Sequence, residues 1–278
     1  MKPILQDLSE PALVTAIEGN VFALFSVFRN WHQAEVHDDP GLLWTITDIP
    51  FPLFNSILRA RLAADEVAPA IAAAVSRGEA RNVPMLWWTG PATQPADLGA
   101  RLEASGFVHE EDSPCLAVDL SLLEEDQPSP QGLAIERVAD PEALRAWCDS
   151  VSAGFGVPAV VTDGFFGFYS SLGFGSHFGN INYLGRLNGT VVATASLFMG
   201  AGVAGIYNVS TLPDARGKGI GSAMTLRPLL DARAMGYRVG TLQSTEMGAG
   251  VYRRLGFRQY CELSHYLWPG GGTAQATI

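Results

Sequence analysis

The stretch Arg216-Gly217-Lys218-Gly219-Ile220-Gly221 separates an apolar, strand-like run at residues 205–213 from a helix-like run at residues 222–235. Glycine lets a backbone approach a ligand closely, and the start of a helix offers unpaired N–H groups and the positive end of the helix dipole. Arg216 and Lys218 add positive charge to the same turn. The stretch therefore predicts a site for a phosphate-bearing ligand.

The spacing of these glycines excludes two common phosphate-binding motifs. A P-loop needs a glycine where Leu212 stands and a Ser or Thr where Gly219 stands. The dinucleotide pattern G-x-G-x-x-G fails because Met224 occupies the position of its third glycine. The pattern that fits the stretch is R-x-x-G-x-G.

This pattern resembles the pyrophosphate-binding motif of the GNAT superfamily of N-acetyltransferases, which bind acetyl-CoA there. Further along, Val251-Tyr252-Arg253-Arg254-Leu255-Gly256-Phe257 resembles the late helix of that family and its Y-x-x-L-G-F ending. The resemblance covers about residues 133–268, and its alternative is a glycine-rich turn followed by an unrelated helix end. The residues that it places at the cofactor are Val209, Ser210, Thr211, Arg216, Gly217, Lys218, Gly219, Ile220, Gly221 and Ser222.

The predicted elements of the second half follow the order of the acetyltransferase fold. We predict strands at residues 133–138, 181–187, 191–198, 203–211, 238–244 and 258–268, and helices at 141–154, 163–172, 219–235 and 248–255. Asp140 is the predicted N-cap of the first of these helices. The fold class is α/β (α+β), with mixed central sheets flanked by helices. Pro228 should kink the motif helix.

The first half repeats the second half weakly. Residues 101–107 echo residues 251–257, and residues 54–57 echo residues 207–210, but no glycine follows at residues 58–63. We therefore predict two tandem GNAT domains: a degenerate one at 1–128 that has lost the cofactor, and a catalytic one at 129–278. The proline-rich, acidic segment 124–132 is the predicted linker. The alternative is an unrelated α/β domain with a chance Gly-Phe.

The resemblance implies direct attack of an amine on the thioester, without a covalent enzyme intermediate. Tyr252 is the expected acid for the departing thiolate, or else only a packing residue of its helix. The backbone N–H groups of residues 209–211 are the expected oxyanion donors. Many relatives carry a glutamate on the strand at 203–211, whereas here Glu246 is the nearest candidate base or a solvated loop acid. Water-mediated deprotonation through Asn208, Ser210 or Ser244 is equally open.

Two further positions depart from the family pattern, and one group of side chains has two interpretations. Thr245 and Gly248 stand where relatives often have asparagine and alanine, which leaves the cofactor contacts at that corner open.

Aromatic residues crowd the two early helices of the second half, where they form either the protein core, which we favour, or an apolar wall against the acceptor. These residues are Phe155, Phe165, Phe166, Phe168, Tyr169 and Phe174.

Composition restricts the partners and the compartment. The net charge of −10 and the pI of about 4.9 argue against nucleic acid or an anionic membrane as a partner. Basic residues nevertheless exceed acidic ones at 214–258, which suits an anionic cofactor, although we assign Arg227 and Arg233 to ordinary helix surface. The sequence has no apolar run of eighteen residues, so we predict no membrane span. Three distant cysteines predict neither a disulfide framework nor a metal site, and a cytoplasmic protein fits.

These observations predict an acetyltransferase that moves acetyl from acetyl-CoA to a primary amine of a small molecule or a peptide. The alternative is a non-catalytic acyl-CoA-binding or regulatory module. The missing strand glutamate favours the alternative, and the intact Arg216, Gly219, Gly221 and Tyr252 favour the enzyme more strongly. The sequence leaves the acceptor and the oligomeric state open.

Overall fold

The computed structural model describes residues 3–125, 127, 129–175 and 178–270, so the predicted linker at 124–132 lies partly outside the described residues. The helices are α1 Glu10–Ser26, α2 Val67–Arg81, α3 Leu98–Ala104, α4 Pro141–Phe155, α5 Ala159–Leu172, α6 Ile220–Ala234 and α7 Ala249–Arg254. The strands are β1 Glu35–Asp39, β2 Leu42–Ile46, β3 Ser56–Leu58, β4 Met85–Thr89, β5 Val108–Asp119, β6 Leu133–Arg137, β7 Asn180–Leu187, β8 Thr190–Gly200, β9 Val203–Thr211, β10 Val239–Gln243 and β11 Arg258–Trp268.

The chain forms two compact units, each made from two segments. Met1–Val21 and Cys115–Tyr260 form the motif unit, which holds the glycine-rich stretch. Phe22–Pro114 and Cys261–Ile278 form the companion unit. The chain passes from one unit to the other within α1, β5 and β11. The predicted domain boundary between residues 128 and 129 separates the two sequence repeats and not the two compact units. It stays a prediction.

The motif unit is built on a mixed sheet with strand order β5-β10-β9-β8-β7-β6. All neighbours in it are antiparallel except β9 and β10, which are parallel. Its predicted elements are present, and the mixed α/β architecture is confirmed. The side chain of Asp140 caps α4 by accepting from the N–H of Ala143 at 2.8 Å. Helix α5 starts at Ala159 rather than residue 163, because Pro158 serves as its N-cap. Helix α6 continues through Pro228.

The companion unit has strand order β1-β2-β3-β4-β11. Strands β3 and β4 are parallel and are connected through α2, just as β9 and β10 are parallel and connected through α6. Helix α3 and strand β5 then follow β4, as α7 and β11 follow β10. From β3 and from β9 onward the two halves therefore share one order of elements, which confirms the tandem arrangement expected from the sequence.

The last strand of each repeat pairs with the sheet of the other repeat. Strand β5 closes the first repeat, yet its residues Cys115–Asp119 pair with β10 over five positions. Strand β11 closes the second repeat, yet its residues Ser264–Trp268 pair with β4. This exchange explains why the compact units do not follow the linear halves of the sequence.

Helix α1 with its short 3₁₀ extension, Glu10–Asn30, is long and apolar enough to cross a membrane by length and composition alone, with a mean hydropathy of 1.6. The sequence-based prediction that the chain has no membrane span therefore has weaker support than the apolar runs alone suggested. Within the motif unit, Ile17 and Val21 are fully buried, and the Asn20 amide donates to the carbonyl of Gly200 at 2.9 Å. These contacts are typical of a core helix.

Removing the first repeat should unfold the motif unit. A fragment of residues 129–278 lacks the strand that pairs with β10 and four buried side chains of the core, Leu116, Val118, Leu120 and Leu123. Their burial contributes roughly 6–12 kcal/mol at about 1.5–3 kcal/mol each, which equals the whole stability of a typical domain. We expect no cooperative thermal transition for this fragment by circular dichroism.

The matched control is the full chain with a protease site inserted in segment 124–132 and cleaved after folding. It should keep a cooperative transition, because cleavage removes none of these residues. A fragment 129–278 that melts cooperatively would contradict the prediction.

Candidate active site

A cavity of about 420 Å³ lies in the motif unit. It is bounded by the end of β9, the glycine-rich turn, the first turn of α6, the loop after β10, α7 and the end of α4. Nine of the ten residues predicted at the cofactor line it: Val209, Ser210, Thr211, Arg216, Gly217, Gly219, Ile220, Gly221 and Ser222. Lys218 does not line the cavity, since its Nζ donates to the carbonyl of Asp214 at 2.9 Å.

The end of β9 parts from β10 beside this cavity. The parallel pairing of the two strands covers Ala204 to Ile206 and Gly240 to Leu242, and β9 continues to Thr211 beyond the last pair. One edge of the strand at Val209 and Thr211 therefore lies open toward the cavity. An extended ligand with amide groups can pair with such an edge as a further strand would.

The glycine-rich turn leaves the start of α6 open to an anion. Gly217 and Gly219 have φ values of +75° and +81°, a left-handed conformation that favours glycine. Gly219 is the N-cap and, lacking a side chain, makes no capping hydrogen bond to the first turn. The first N–H groups of a helix have no partner within it, and those of Ile220 to Ser222 lie at the cavity. This arrangement suits a phosphate or diphosphate.

Uncompensated positive charge accompanies these N–H groups. The Arg216 guanidinium donates to the carbonyls of Thr211 at 3.0 Å and Gly154 at 3.3 Å, and Arg254 also lines the cavity. Neither arginine has a carboxylate partner in the part of the chain that the structure describes. By contrast, Arg227 is paired with Asp231 at 3.0 Å and Arg233 is paired with Glu125, which fits their assignment to the helix surface.

Tyr252 lies in α7 and contributes to both the core and the cavity. It is only 8% exposed, and its ring contacts Phe257 with centroids 5.9 Å apart. Its hydroxyl has no hydrogen-bond partner among the described residues. Burial raises the pKa of Tyr252 to about 12, so the phenol is neutral at physiological pH and has a proton to donate. A Cβ at Gly248 would lie 2.7 Å from the Tyr252 ring, so the glycine there makes room for the tyrosine.

Glu246 lies in the turn between β10 and α7 and is exposed. Its neighbours Thr245 and Met247 line the cavity, whereas Glu246 does not. The described lining residues include no Asp, Glu or His. A basic role for Glu246 therefore requires its side chain to turn inward or to act through water, and that role stays a prediction.

The aromatic residues of α4 and α5 divide between core and surface. Phe168 and Tyr169 are buried, Phe165 packs edge-on to Trp147, and Phe166 lies under the Arg145 guanidinium. Among all six, only Phe155 lines the cavity, where 52% of its surface is exposed.

Sequence reasoning missed several lining residues. Gly154 lets the end of α4 approach β9, because a Cβ there would overlap the Oγ of Ser210. Met247 and Val251 also line the cavity, and Arg254 was part of the quoted motif without an assigned role. No local pattern distinguishes Gly154 from an ordinary helix end, so only the tertiary contact identifies it.

The family model of the acetyltransferase (GNAT) domain matches residues 180–259. The chain contains a GNAT acetyltransferase domain. By this domain the protein is an acyltransferase. The matched range begins at β7 and includes the cavity-lining parts of β9, α6 and α7, so the GNAT domain coincides with the site described above.

Solved structures share the fold of the whole chain, not only of the GNAT domain. A GCN5-related N-acetyltransferase from Kribbella flavida has a TM-score of 0.70 at 20% identity, covering 96% of this chain and 98% of that one. A GCN5-related N-acetyltransferase from Sphaerobacter thermophilus has a TM-score of 0.62 at 16% identity, covering 99% and 97%. A tandem GNAT protein from the clavulanic acid biosynthesis pathway has a TM-score of 0.60 at 12% identity, covering 98% of each chain. The search of curated proteins found no match.

Gly221 provides a direct test of ligand binding at the turn. A Cβ added at Gly221 would meet only Thr211 Oγ1, at 3.9 Å. The backbone of Gly221 is not in the left-handed region, so a larger side chain fits the protein and fills the cavity. We expect Gly221→Val to weaken acetyl-CoA binding at least 100-fold by calorimetry, because the side chain blocks approach to the N–H groups of the first turn.

Gly250→Val is the matched control, since Gly250 is a helical glycine in α7 that does not line the cavity. It should bind acetyl-CoA with unchanged affinity. Gly219→Val should also abolish binding, but it adds left-handed strain. Unchanged affinity in Gly221→Val would mean that the cofactor lies elsewhere, and two cofactors per chain would contradict the loss of the site in the first repeat.

Proposed function

We propose that the protein transfers acetyl from acetyl-CoA to a primary amine of a small molecule or a peptide, by direct attack of the amine on the thioester. One observation carries the proposal: a single cavity combines the open edge of β9, the uncapped start of α6 and the unpartnered hydroxyl of Tyr252. Together these supply sites for an amide-bearing arm, for a diphosphate and for a leaving thiolate.

The residues present fit acetyl-CoA. The N–H groups of Ile220 to Ser222 and the charge of Arg216 would hold its pyrophosphate. The open edge at residues 209–211 would pair with the pantetheine arm and donate to the thioester oxygen as negative charge develops on it. Arg254 would add to the positive field around the phosphates.

Tyr252 would stabilise the departing thiolate. An ordinary thiol has a pKa of about 8.5, well below the value of about 12 for this phenol. The hydroxyl therefore acts first as a hydrogen-bond donor to sulfur. Full proton transfer follows only as the apolar surroundings raise the pKa of the thiol as well.

Deprotonation of the amine is the step with the fewest candidates. Ser210 Oγ faces the carbonyl of Ser150 at 3.5 Å, and Ser244 Oγ donates to the carbonyl of Thr245 at 2.8 Å, so either hydroxyl could relay a proton only through water. Glu246 is the nearest carboxylate in sequence to Tyr252 and lies on the flanking turn. We propose Glu246 as the base or as the group that attracts a cationic acceptor.

A second function has one observation in its favour. The described lining of the cavity contains no carboxylate or imidazole, which suits a non-catalytic module that binds acyl-CoA without acting on it. Amine-dependent release of CoA from acetyl-CoA, followed as free thiol across a panel of amines, separates the two functions. Binding without release for every amine would favour the module.

A cytoplasmic location belongs to the same proposal. None of the three cysteines, all among the described residues, forms a disulfide, and Cys115 and Cys148 are buried. A reducing compartment that contains acetyl-CoA suits such a protein.

Tyr252→Phe should leave acetyl-CoA affinity unchanged and lower kcat by about 10²- to 10⁴-fold, the usual worth of one positioned proton donor. Because burial raises the pKa of Tyr252 to about 12, the size of the loss should be constant from pH 7 to pH 9. Stopped-flow thiol release at several pH values measures it.

The control for this variant is Tyr237→Phe, a partly buried tyrosine of the same unit that does not line the cavity. It should retain full activity. Equal kcat in Tyr252→Phe and the wild type would reduce Tyr252 to a packing residue.

Glu246→Gln separates the two roles proposed for this residue. If Glu246 is the base, the variant loses kcat/KM and the acidic limb of its pH profile. If Glu246 attracts the acceptor, KM for the amine rises while kcat stays nearly constant. Glu79→Gln, an exposed acid of α2, is the control. Wild-type parameters across the pH range would exclude both roles.

A further inference from the structure

Strand β9 contains a bulge immediately before its open edge. Ser196 of β8 pairs with Tyr207 and Thr194 pairs with Ser210, so Asn208 and Val209 together stand opposite the single residue Ala195. Asn208 has a φ of +52°, a left-handed value that is uncommon for any residue except glycine and is tolerated best by asparagine and aspartate. The bulge shifts the register of all the residues that follow it in β9.

Buried side chains hold both sides of this bulge. The Thr194 hydroxyl donates to the carbonyl of Asn208 at 2.8 Å. The Asn208 amide donates to the Tyr169 hydroxyl at 2.8 Å and to Ser196 Oγ at 3.2 Å. Ser196 in turn donates to Asn182 at 2.7 Å. Thr194, Ser196 and Tyr169 are all at most 5% exposed, so these bonds are protected from water.

This network positions groups but does not accept a proton. The amide of Asn208 has no basic atom, and its nitrogen already donates to two oxygens. Burial raises the pKa of Tyr169 far above neutral pH, so its hydroxyl stays protonated. The network therefore does not serve as the base that the reaction needs.

We propose that Tyr169 is a positioning residue for acetyl transfer. By accepting a hydrogen bond from Asn208, it holds the left-handed conformation of the bulge and thereby sets where the N–H groups of residues 209–211 lie. The inference rests on the proposed function, because those N–H groups are the donors expected to stabilise the oxyanion. It adds a residue of α5 that lies outside the cavity lining.

Four variants test the proposal through kcat, KM for acetyl-CoA and amide hydrogen exchange at residues 207–211. Tyr169→Phe should lower kcat about tenfold, leave KM for acetyl-CoA within twofold, and speed exchange at residues 208–211. Asn208→Ala should lower kcat about 100-fold, since alanine disfavours the left-handed conformation. Asn208→Gly should recover most of that loss, because glycine adopts it freely. In the Asn208→Gly background, Tyr169→Phe should have no further effect.

The matched control is Tyr183→Phe, which removes another buried hydroxyl of the same unit, bonded to Asp231 at 2.9 Å. It should leave kcat and exchange at residues 208–211 unchanged. The proposal is overturned if Tyr169→Phe lowers kcat equally in both backgrounds, or if Asn208→Gly is no better than Asn208→Ala.

The exchange measurement does not depend on catalysis. Faster exchange in Tyr169→Phe, together with a wild type that releases no CoA with any amine, would support the anchoring of the bulge and reject the proposed function. Unchanged exchange in Tyr169→Phe would reject the positioning role whatever the activity. If Tyr169→Phe does not fold at the assay temperature, the proposal is tested by the two variants at Asn208. It is rejected if the kcat of Asn208→Gly is no higher than that of Asn208→Ala.

Discussion

The parting of β9 from β10 is the constraint on which the site depends. After Ile206 and Leu242 the two strands no longer pair, which leaves backbone donors and acceptors of β9 without a neighbouring strand. Backbone groups of this kind need a partner. Arg216 supplies one to the carbonyl of Thr211, and the others are open to a ligand or water. The cavity, the open start of α6 and Tyr252 all surround this gap. The proposed chemistry depends on the missing backbone pairing between the end of β9 and β10.

The first repeat contributes to this gap through the strand that it supplies. Strand β10 pairs with β5 over five antiparallel positions, so one edge of β10 stays hydrogen-bonded where its pairing with β9 ends. Leu116, Val118 and Leu120 of the same segment belong to the core beneath α6. A repeat that lacks the glycine-rich turn therefore has a structural task, because it completes the sheet that carries the site. Its own sheet receives β11 in return.

The sequence predicted much of the second half because its signals are local. Strand β9 has the predicted bounds, and Asp140 caps α4 as expected, since a short polar side chain before Pro141 bonds to its own helix turn. The glycine-rich turn adopts the left-handed values that its glycines allow. Echoes of the motifs indicated β3 and α3 of the first repeat, but α1, β1 and β2 have no counterpart among those motifs and were not predicted.

The sequence by itself determined the glycine-rich turn, the GNAT domain and the candidacy of Tyr252, because spacing and φ preference are properties of neighbouring residues. Only the tertiary structure decided the exchange of β5 and β11, the approach of Gly154 to Ser210, the exposure of Glu246 and the anchoring of Asn208 by Tyr169. Each of these joins residues far apart in the chain. Their pairing is set by the burial and hydrogen bonding of the whole sheet, which no local pattern encodes.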